Sequence, residues 1–159
     1  MPLTLRPAFA SRPLILTGTV AGILRVTANI AGGPSGILLG TAVVRAVPPQ
    51  LSNVVTTSIT NGFEVQVTGY SPDRRIISAD FGFDIRTAEG IQKVTLTRNV
   101  DTDFSNWYRS PNSTVFGSSF VYSQTFFVEG DKSAIEAVSV TLTNAQGATS
   151  SAPVTVRAN

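Results

Sequence analysis

The sequence predicts an all-β protein, an immunoglobulin-like antiparallel β-sandwich with additional strands at its N-terminal end. Three observations lead to this prediction. Apolar and polar residues alternate along most of the chain, as they do in strands that bury one face. β-Branched and aromatic residues dominate these segments, as a half-buried pleated surface favours. Turn-forming residues separate the segments at intervals of roughly 8 to 12 residues, which is typical of sandwiches and barrels.

The N-terminal part of the chain is predicted to contain two strands. Side chains at alternate positions of residues 24–30 share one strand face, and those of residues 41–47 share a face of the next strand. The glycine-rich segment 32–36 joins the two. A hairpin-like pair of strands is therefore expected ahead of the main domain.

Two adjacent prolines, Pro48 and Pro49, follow these strands, and such a pair favours an extended, stiff segment. We therefore divide the chain into the terminal strands of a truncated upstream β-module (1–47), a Pro-rich linker (48–50) and an immunoglobulin-like β-sandwich (51–159). The last of these has the length of one complete domain of that type.

The predicted sandwich contains five segments with two-residue periodicity. They are residues 63–68, 79–86, 94–97, 138–143 and 154–157. In the second segment, Phe81, Phe83 and Ile85 are expected to face the core. The strongest turn signal is Asn61-Gly62, since two-residue hairpin turns of this sequence use positive φ at both positions.

One segment, Asp103 to Tyr108, lacks this alternation. It is predicted to form a single helical turn that bridges the two sheets. Asp103 is the expected N-cap, because an aspartate side chain accepts hydrogen bonds from the free amide groups at a helix start.

Histidine and cysteine are both absent from the 159 residues. Without histidine, Ser-His-Asp hydrolysis and His-ligated zinc are excluded within this chain. Without cysteine, disulfides, thiolate metal sites and cysteine nucleophiles are excluded as well. Any catalysis would have to rely on carboxylates, hydroxyls or amines.

Charged residues are few, 14% of the chain with a formal net charge of +2, and the first acidic residue is Glu64. The arginines before it are widely spaced, so they offer no cluster that could follow a phosphate backbone, and we expect no nucleic-acid partner. No stretch approaches the 18 or so apolar residues that a membrane helix needs, so we expect no membrane span.

A calcium site is one candidate for chemistry. Asn99, Asp101 and Asp103 would project from one side of an extended segment, and calcium prefers such oxygen ligands. The alternative is that Asp103 caps the next turn and Asp101 is solvated. A calcium-assisted carboxylate hydrolase acting on an ester, lactone or glycoside would need the same residues.

A carbohydrate site is the second candidate. The aromatic side chains of Trp107, Tyr108 and Tyr122 could stack on the apolar faces of sugars and bind a glycan or a protein ligand. The alternative is that Trp107 and Tyr108 anchor their loop in the core.

The strands within residues 1–47 also have a consequence for assembly. A truncated module leaves open β-edges and uncovered apolar faces, and these invite pairing with another copy of the chain. We therefore expect a homodimer or a strand-swapped assembly through the N-terminal strands.

Several segments resemble a known family. Phe63–Ser71, Trp107–Ser110, Phe116–Phe120 and Val138–Asn144 look like parts of the C-terminal immunoglobulin-like repeats of large secreted proteins of soil bacteria. The resemblance covers about residues 50–159.

This resemblance implies an extracellular or cell-surface location and a non-catalytic spacer, adhesion or binding role. It implies no catalytic residues. A shared fold does not define an activity, so a calcium-dependent hydrolase and a carbohydrate-binding module stay open as alternatives.

Overall fold

Antiparallel β-sheets make up most of the computed structural model, which describes residues 19–156. In chain order the strands are β1 (Gly22–Ala28), β2 (Ile37–Val44), β3 (Gln50–Ile59), β4 (Gly62–Tyr70), β5 (Ser78–Thr87), β6 (Gly90–Asn99), β7 (Ser119–Phe127), β8 (Ile135–Asn144), β9 (Gly147–Ser150) and β10 (Val154–Thr155). Two helices, α1 (Asp101–Arg109) and α2 (Ser113–Phe116), lie between β6 and β7, and a 3₁₀ turn (Lys132–Ala134) precedes β8. The first part of the predicted segment 1–47 and the last residues of the predicted sandwich lie outside the described residues.

The sandwich consists of two antiparallel sheets. One has the strand order β3-β4-β7, and the other has the order β10-β8-β5-β6, with β9 also paired to β8. The predicted all-β, antiparallel fold is therefore confirmed.

The strands β9 and β10 pair with successive parts of the same edge of β8. Between them, the amide of Ser151 donates to the carbonyl oxygen of Val140 at 2.8 Å, and the Ser151 hydroxyl accepts from the Val140 amide at 3.0 Å. Pro153 follows, and a proline cannot donate a ladder hydrogen bond. The two short strands thus act as one interrupted edge strand, which gives the sandwich seven strand positions.

Alternate side chains of the central strands form the core, as the periodicity predicted. Its largest fully buried apolar members are Phe81, Phe120, Ile76, Leu142, Val65 and Val67. Phe81 and Phe83 face the opposite sheet as expected, and both rings pack edge-on against Phe126. Edge-to-face pairs of this kind add to the stabilisation that burial alone provides.

The edge strand β6 is less covered than the central strands. Leu96 pairs with Phe81 and shares its face, yet 47% of Leu96 is exposed. Alternation identified the inward face of this strand correctly. The opposing sheet has only three strands, and it does not cover Leu96.

The hairpin between β3 and β4 is present, but its loop consists of Thr60 and Asn61. The prediction that Asn61 and Gly62 both adopt positive φ is wrong for Asn61, since only Gly62 does so, at φ 157°. A Cβ at Gly62 would overlap the carbonyl oxygen of Phe126 on β7. Glycine is therefore required there by a close approach between strands as well as by the turn.

Helix α1 begins two residues before the predicted helical turn. Asp103 lies inside its first turn, so its predicted role as N-cap is wrong. Asn99 provides the local support instead, because its side-chain oxygen accepts the Asp101 amide at 3.1 Å. Asp101 and Asp103 both lie at the positive end of the helix dipole, where carboxylates are favoured.

The β1–β2 hairpin forms a sheet of its own, and most of its side chains are exposed on both faces. Near its base the amide of Ala21 donates to the carbonyl oxygen of Pro72 at 2.6 Å, and Thr19 Oγ1 accepts the amide of Ser118. The Pro-rich segment is packed rather than free, since Pro49 is buried and β3 already begins at Gln50.

Among residues 19–156, no helix combines the length and the apolar character needed to cross a membrane.

Candidate functional site

A polar cleft of about 510 Å³ lies at one end of the sandwich, between the 71–75 turn and helix α1. Its lining combines three arginines, two aspartates, a serine and the edge of a buried tyrosine. The residues that matter most are Asp73, Arg74, Arg75, Asp101, Tyr108 and Arg109. The cleft thus brings together residues from two segments that are about 30 positions apart in the chain.

The 71–75 turn is held by a buried hydrogen-bond network. The amide of Arg74 donates to the carbonyl oxygen of Ser71 at 2.9 Å, and Pro72 occupies the second position, which favours such a turn. The Asp73 carboxylate accepts from the Ser71 hydroxyl at 2.6 Å and from the side-chain amide of Asn144 at 3.1 Å. Because Ser71 and Asn144 are buried, the turn is fixed from inside the protein.

Arg74 connects this turn to helix α1. It is the one non-glycine residue with positive φ (54°) in the described part of the chain. Its guanidinium donates to the carbonyl oxygen of Tyr108 and to Ser113 Oγ, and it lies 5.2 Å from the centre of the Tyr108 ring. A cation at the last carbonyl groups of a helix is favourable. Arg74 is therefore engaged within the fold, and its Nε is buried without a hydrogen-bond partner among residues 19–156.

The other two arginines of the cleft are closer to solvent. Arg75 donates Nε to Asp101 at 3.1 Å, and Arg109 lies exposed in the last turn of α1. Both aspartates already have partners, Asp73 in the turn and Asp101 with Arg75. The cleft carries three cationic and two anionic groups, so it has an excess of one positive charge.

The predicted calcium ligands occupy different surroundings. Asn99 ends β6 and supports the start of α1, Asp101 pairs with Arg75, and Asp103 is exposed in the first turn. The segment is helical from Asp101 onward, so the expected row of ligands on an extended strand does not form. Within residues 19–156, no group of three or more acidic, histidine or cysteine side chains is arranged to hold a metal ion.

The predicted sugar-binding tyrosines are anchored in the core. Tyr108 is buried and donates its hydroxyl to the carbonyl oxygen of Ser118 at 2.8 Å. Tyr122 is also buried, packs against Phe104, and donates to Gln124. Burial raises the pKa of both phenols above the ordinary value of 10.0, and this cause outweighs the opposing effect of Arg74 on the pKa of Tyr108.

Trp107 lies elsewhere, on a half-exposed surface next to helix α2. Its Nε1 donates to the carbonyl oxygen of Ser119 at 3.0 Å, and its ring stacks on Phe116 with a centroid distance of 6.3 Å. Phe116 is 56% exposed, and Val115 beside it is 81% exposed. We call Trp107, Val115 and Phe116 the aromatic patch. Sequence reasoning missed Phe116, although its position in a short apolar group outside any alternating segment was a usable signal.

Comparisons with protein-family models, with curated proteins and with solved structures each find no match to this chain.

Proposed function

We propose that this chain is a non-catalytic, immunoglobulin-like binding module of an exported bacterial protein, and that it self-associates through the β1–β2 hairpin at the cell surface or outside the cell. The observation that carries the proposal is the exposure of that hairpin. Its uncovered apolar side chains are Ile23, Leu24, Ile37, Leu38, Leu39 and Val43.

A two-stranded hairpin of this kind is marginally stable in water by itself. Leu39 is 66% exposed, and Ile23 and Val43, which pair directly across the two strands, are 64% and 62% exposed. Exposed apolar surface of this type is typical of sites that contact another protein. A second copy supplies the same surface, so a two-fold arrangement would cover both hairpins at once.

The strand order supports the immunoglobulin-like assignment. Counted from β3, the first, second and fifth strands of the sandwich (β3, β4 and β7) share one sheet. The third, fourth and sixth strands (β5, β6 and β8) form the other sheet, together with the interrupted seventh strand (β9 and β10). Immunoglobulin domains place strands A, B, E and D in one sheet and C, F and G in the other. Six of the seven positions follow this division, whereas the fourth strand, β6, pairs with β5 in the second sheet instead of joining the first.

Open strand edges support a role in binding. Strand β6 pairs with β5 over ten residues without a bulge, and within the described residues its other edge is unpaired. Proteins that avoid strand addition usually shorten, bend or cover such edges. A regular, unpaired edge is a place where an extended segment of a partner can add a strand.

The geometry of the carboxylates favours binding over hydrolysis. Asp101 is engaged by Arg75, while Asp103 is exposed at the helix start. A calcium-assisted hydrolase would need these two groups to act on one metal-bound water. Their separate surroundings are the reason that we propose a non-catalytic role.

A carbohydrate-binding role is a second candidate, because the aromatic patch offers a stacked and accessible pair of rings. The rings of Trp107 and Phe116 lie within about 25° of parallel, and Phe116 is largely exposed. Such faces pack against the apolar faces of sugars.

Self-association is tested by sedimentation equilibrium of the full chain over a range of concentrations. We expect a reversible dimer that the double variant Ile23→Ser/Leu39→Ser converts to a monomer with an unchanged circular dichroism spectrum. Val121→Ser is the matched control, since Val121 is a similarly exposed valine on the outer face of β7. A wild-type chain that stays monomeric at every concentration would overturn the proposal.

A further inference from the structure

We propose that the cleft between the 71–75 turn and helix α1 binds a polyhydroxylated carboxylate of the uronate class. This inference rests on the proposed binding role and names a ligand for it. The volume of about 510 Å³ is in the range of small-molecule sites, which is roughly 300 to 1,000 Å³. One sugar acid residue fits within it.

Two arginines supply the recognition of the carboxylate. Arg75 uses only Nε for Asp101, so its terminal amino groups have no partner among the described residues. No acidic side chain within residues 19–156 pairs with Arg109. A planar guanidinium matches a carboxylate with two parallel hydrogen bonds, and the excess of one positive charge in the cleft suits a monoanion.

The remaining polar groups suit hydroxyls. Asp73 and Asp101 are hydrogen-bond acceptors, and the Ser105 hydroxyl both donates and accepts. Sugar hydroxyls can donate to these carboxylates. The same two carboxylates would repel a phosphate dianion, so a singly charged acid with several hydroxyls matches the cleft better than inorganic phosphate does.

The cleft is built before any ligand arrives. Arg74 ties the turn to Tyr108 and Ser113, and Asn144 holds Asp73 from the core side. Binding therefore orders few groups beyond the two exposed arginine side chains, which lowers its entropic cost.

The experiment is a calorimetric and NMR titration of the full chain at low salt with a galacturonate trimer. The neutral galactose trimer and inorganic phosphate are the reference ligands. The test variants are Arg75→Gln and Arg109→Gln. Arg86→Gln is the matched control, because Arg86 is exposed on β5 and pairs with Glu136 away from the cleft.

We expect saturable binding of the galacturonate trimer, with an affinity lowered about tenfold by Arg109→Gln and by Arg75→Gln, and unchanged by Arg86→Gln. No saturable binding, equal binding of the neutral trimer, tighter binding of phosphate, or full binding by Arg109→Gln would each overturn the inference. Sedimentation of the same samples reports self-association separately. A monomer that binds the trimer refutes self-association alone, and a dimer that does not bind it refutes the cleft alone.

Discussion

The side-chain amide of Asn144 donates a hydrogen bond of 2.9 Å to the backbone carbonyl oxygen of Val47, although the two residues are 97 positions apart. Asn144 ends β8, and Val47 lies in the segment between the N-terminal hairpin and the sandwich. The same amide also reaches Asp73 in the turn that lines the cleft. One buried side chain therefore links the Pro-rich segment, the turn and the core.

Replacing Asn144 should destabilise the fold measurably. In Asn144→Ala, the Val47 carbonyl and the Asp73 carboxylate lose a donor in a buried setting, which costs about 1 to 3 kcal/mol. Urea unfolding followed by tryptophan fluorescence measures this loss. Asn53→Ala is the control, since Asn53 is exposed on β3 and its substitution should change the unfolding free energy by less than about 0.5 kcal/mol. Equal stability of the two variants would contradict the proposed link.

The backbone at Arg74 allows a test of conformational strain. Both Arg74→Ala and Arg74→Gly remove the contacts to Tyr108 and Ser113. Only glycine adopts a φ of 54° without a steric cost, so Arg74→Gly should be about 1 kcal/mol more stable than Arg74→Ala. Chemical denaturation of the two variants provides the comparison. If alanine proved the more stable, the turn would have to differ from the one seen here.

The buried phenol of Tyr108 predicts a loss of stability at high pH. Burial raises the pKa of Tyr108 in the folded protein above 10.0, the ordinary value that applies to the unfolded chain. Below pH 10 the phenol is neutral in both states, so its contribution to stability is fully present there. As the pH rises above 10, the unfolded chain releases this proton first, and stability falls by up to about 1.4 kcal/mol per pH unit.

The measurement for Tyr108 is the unfolding free energy between pH 8 and 11 for the wild type and for Tyr108→Phe. The variant loses the hydrogen bond to Ser118. Its unfolding free energy should nevertheless decline less steeply above pH 10 than that of the wild type, because it has no phenol at position 108 to release a proton. Parallel curves for the two proteins would show that Tyr108 does not titrate as a buried group.

The aromatic patch should contribute to ligand binding far more than to stability. Phe116 is largely exposed, so Phe116→Ala should cost less than about 1 kcal/mol of unfolding free energy. Phe104→Ala is the contrasting variant, because Phe104 is buried and its loss should cost about 3 to 5 kcal/mol. If the patch binds neutral glycans, Phe116→Ala should lose every signal that the wild type gives on a glycan array. Retained signals would remove that second candidate function.

Calcium should have little effect on the chain. Asp101 would have to leave Arg75, and Asp103 lies exposed in the first helical turn, so the described residues present no ready ligand shell. We expect the thermal midpoint to stay within about 1 °C of its metal-free value when calcium is added, since stabilisation requires preferential binding to the folded state. A saturable rise of the thermal midpoint that Asp101→Asn abolishes would support the predicted calcium site.

The sequence by itself determined seven of the ten strands in the described residues, and it did not identify β3, β7 or β9. Phe81 and Phe83 could be assigned to the core because successive side chains of a strand alternate between faces, which is a local rule. It also excluded histidine and cysteine chemistry, since composition needs no structure. The start of α1 at Asp101 was not predicted, because the Asn99 side chain, and not Asp103, accepts a backbone amide at the helix start.

Only the tertiary structure decided which side chains meet and which stay uncovered. Leu96 has the alternation of a core residue, but its exposure depends on the width of the opposite sheet. Tyr122 packs against Phe104 in the core, whereas Trp107 stacks on the exposed Phe116. The cleft needs Arg75 and Arg109 side by side, and their proximity follows from the docking of α1 on the 71–75 turn. Such contacts join residues distant in the chain, so no local periodicity encodes them.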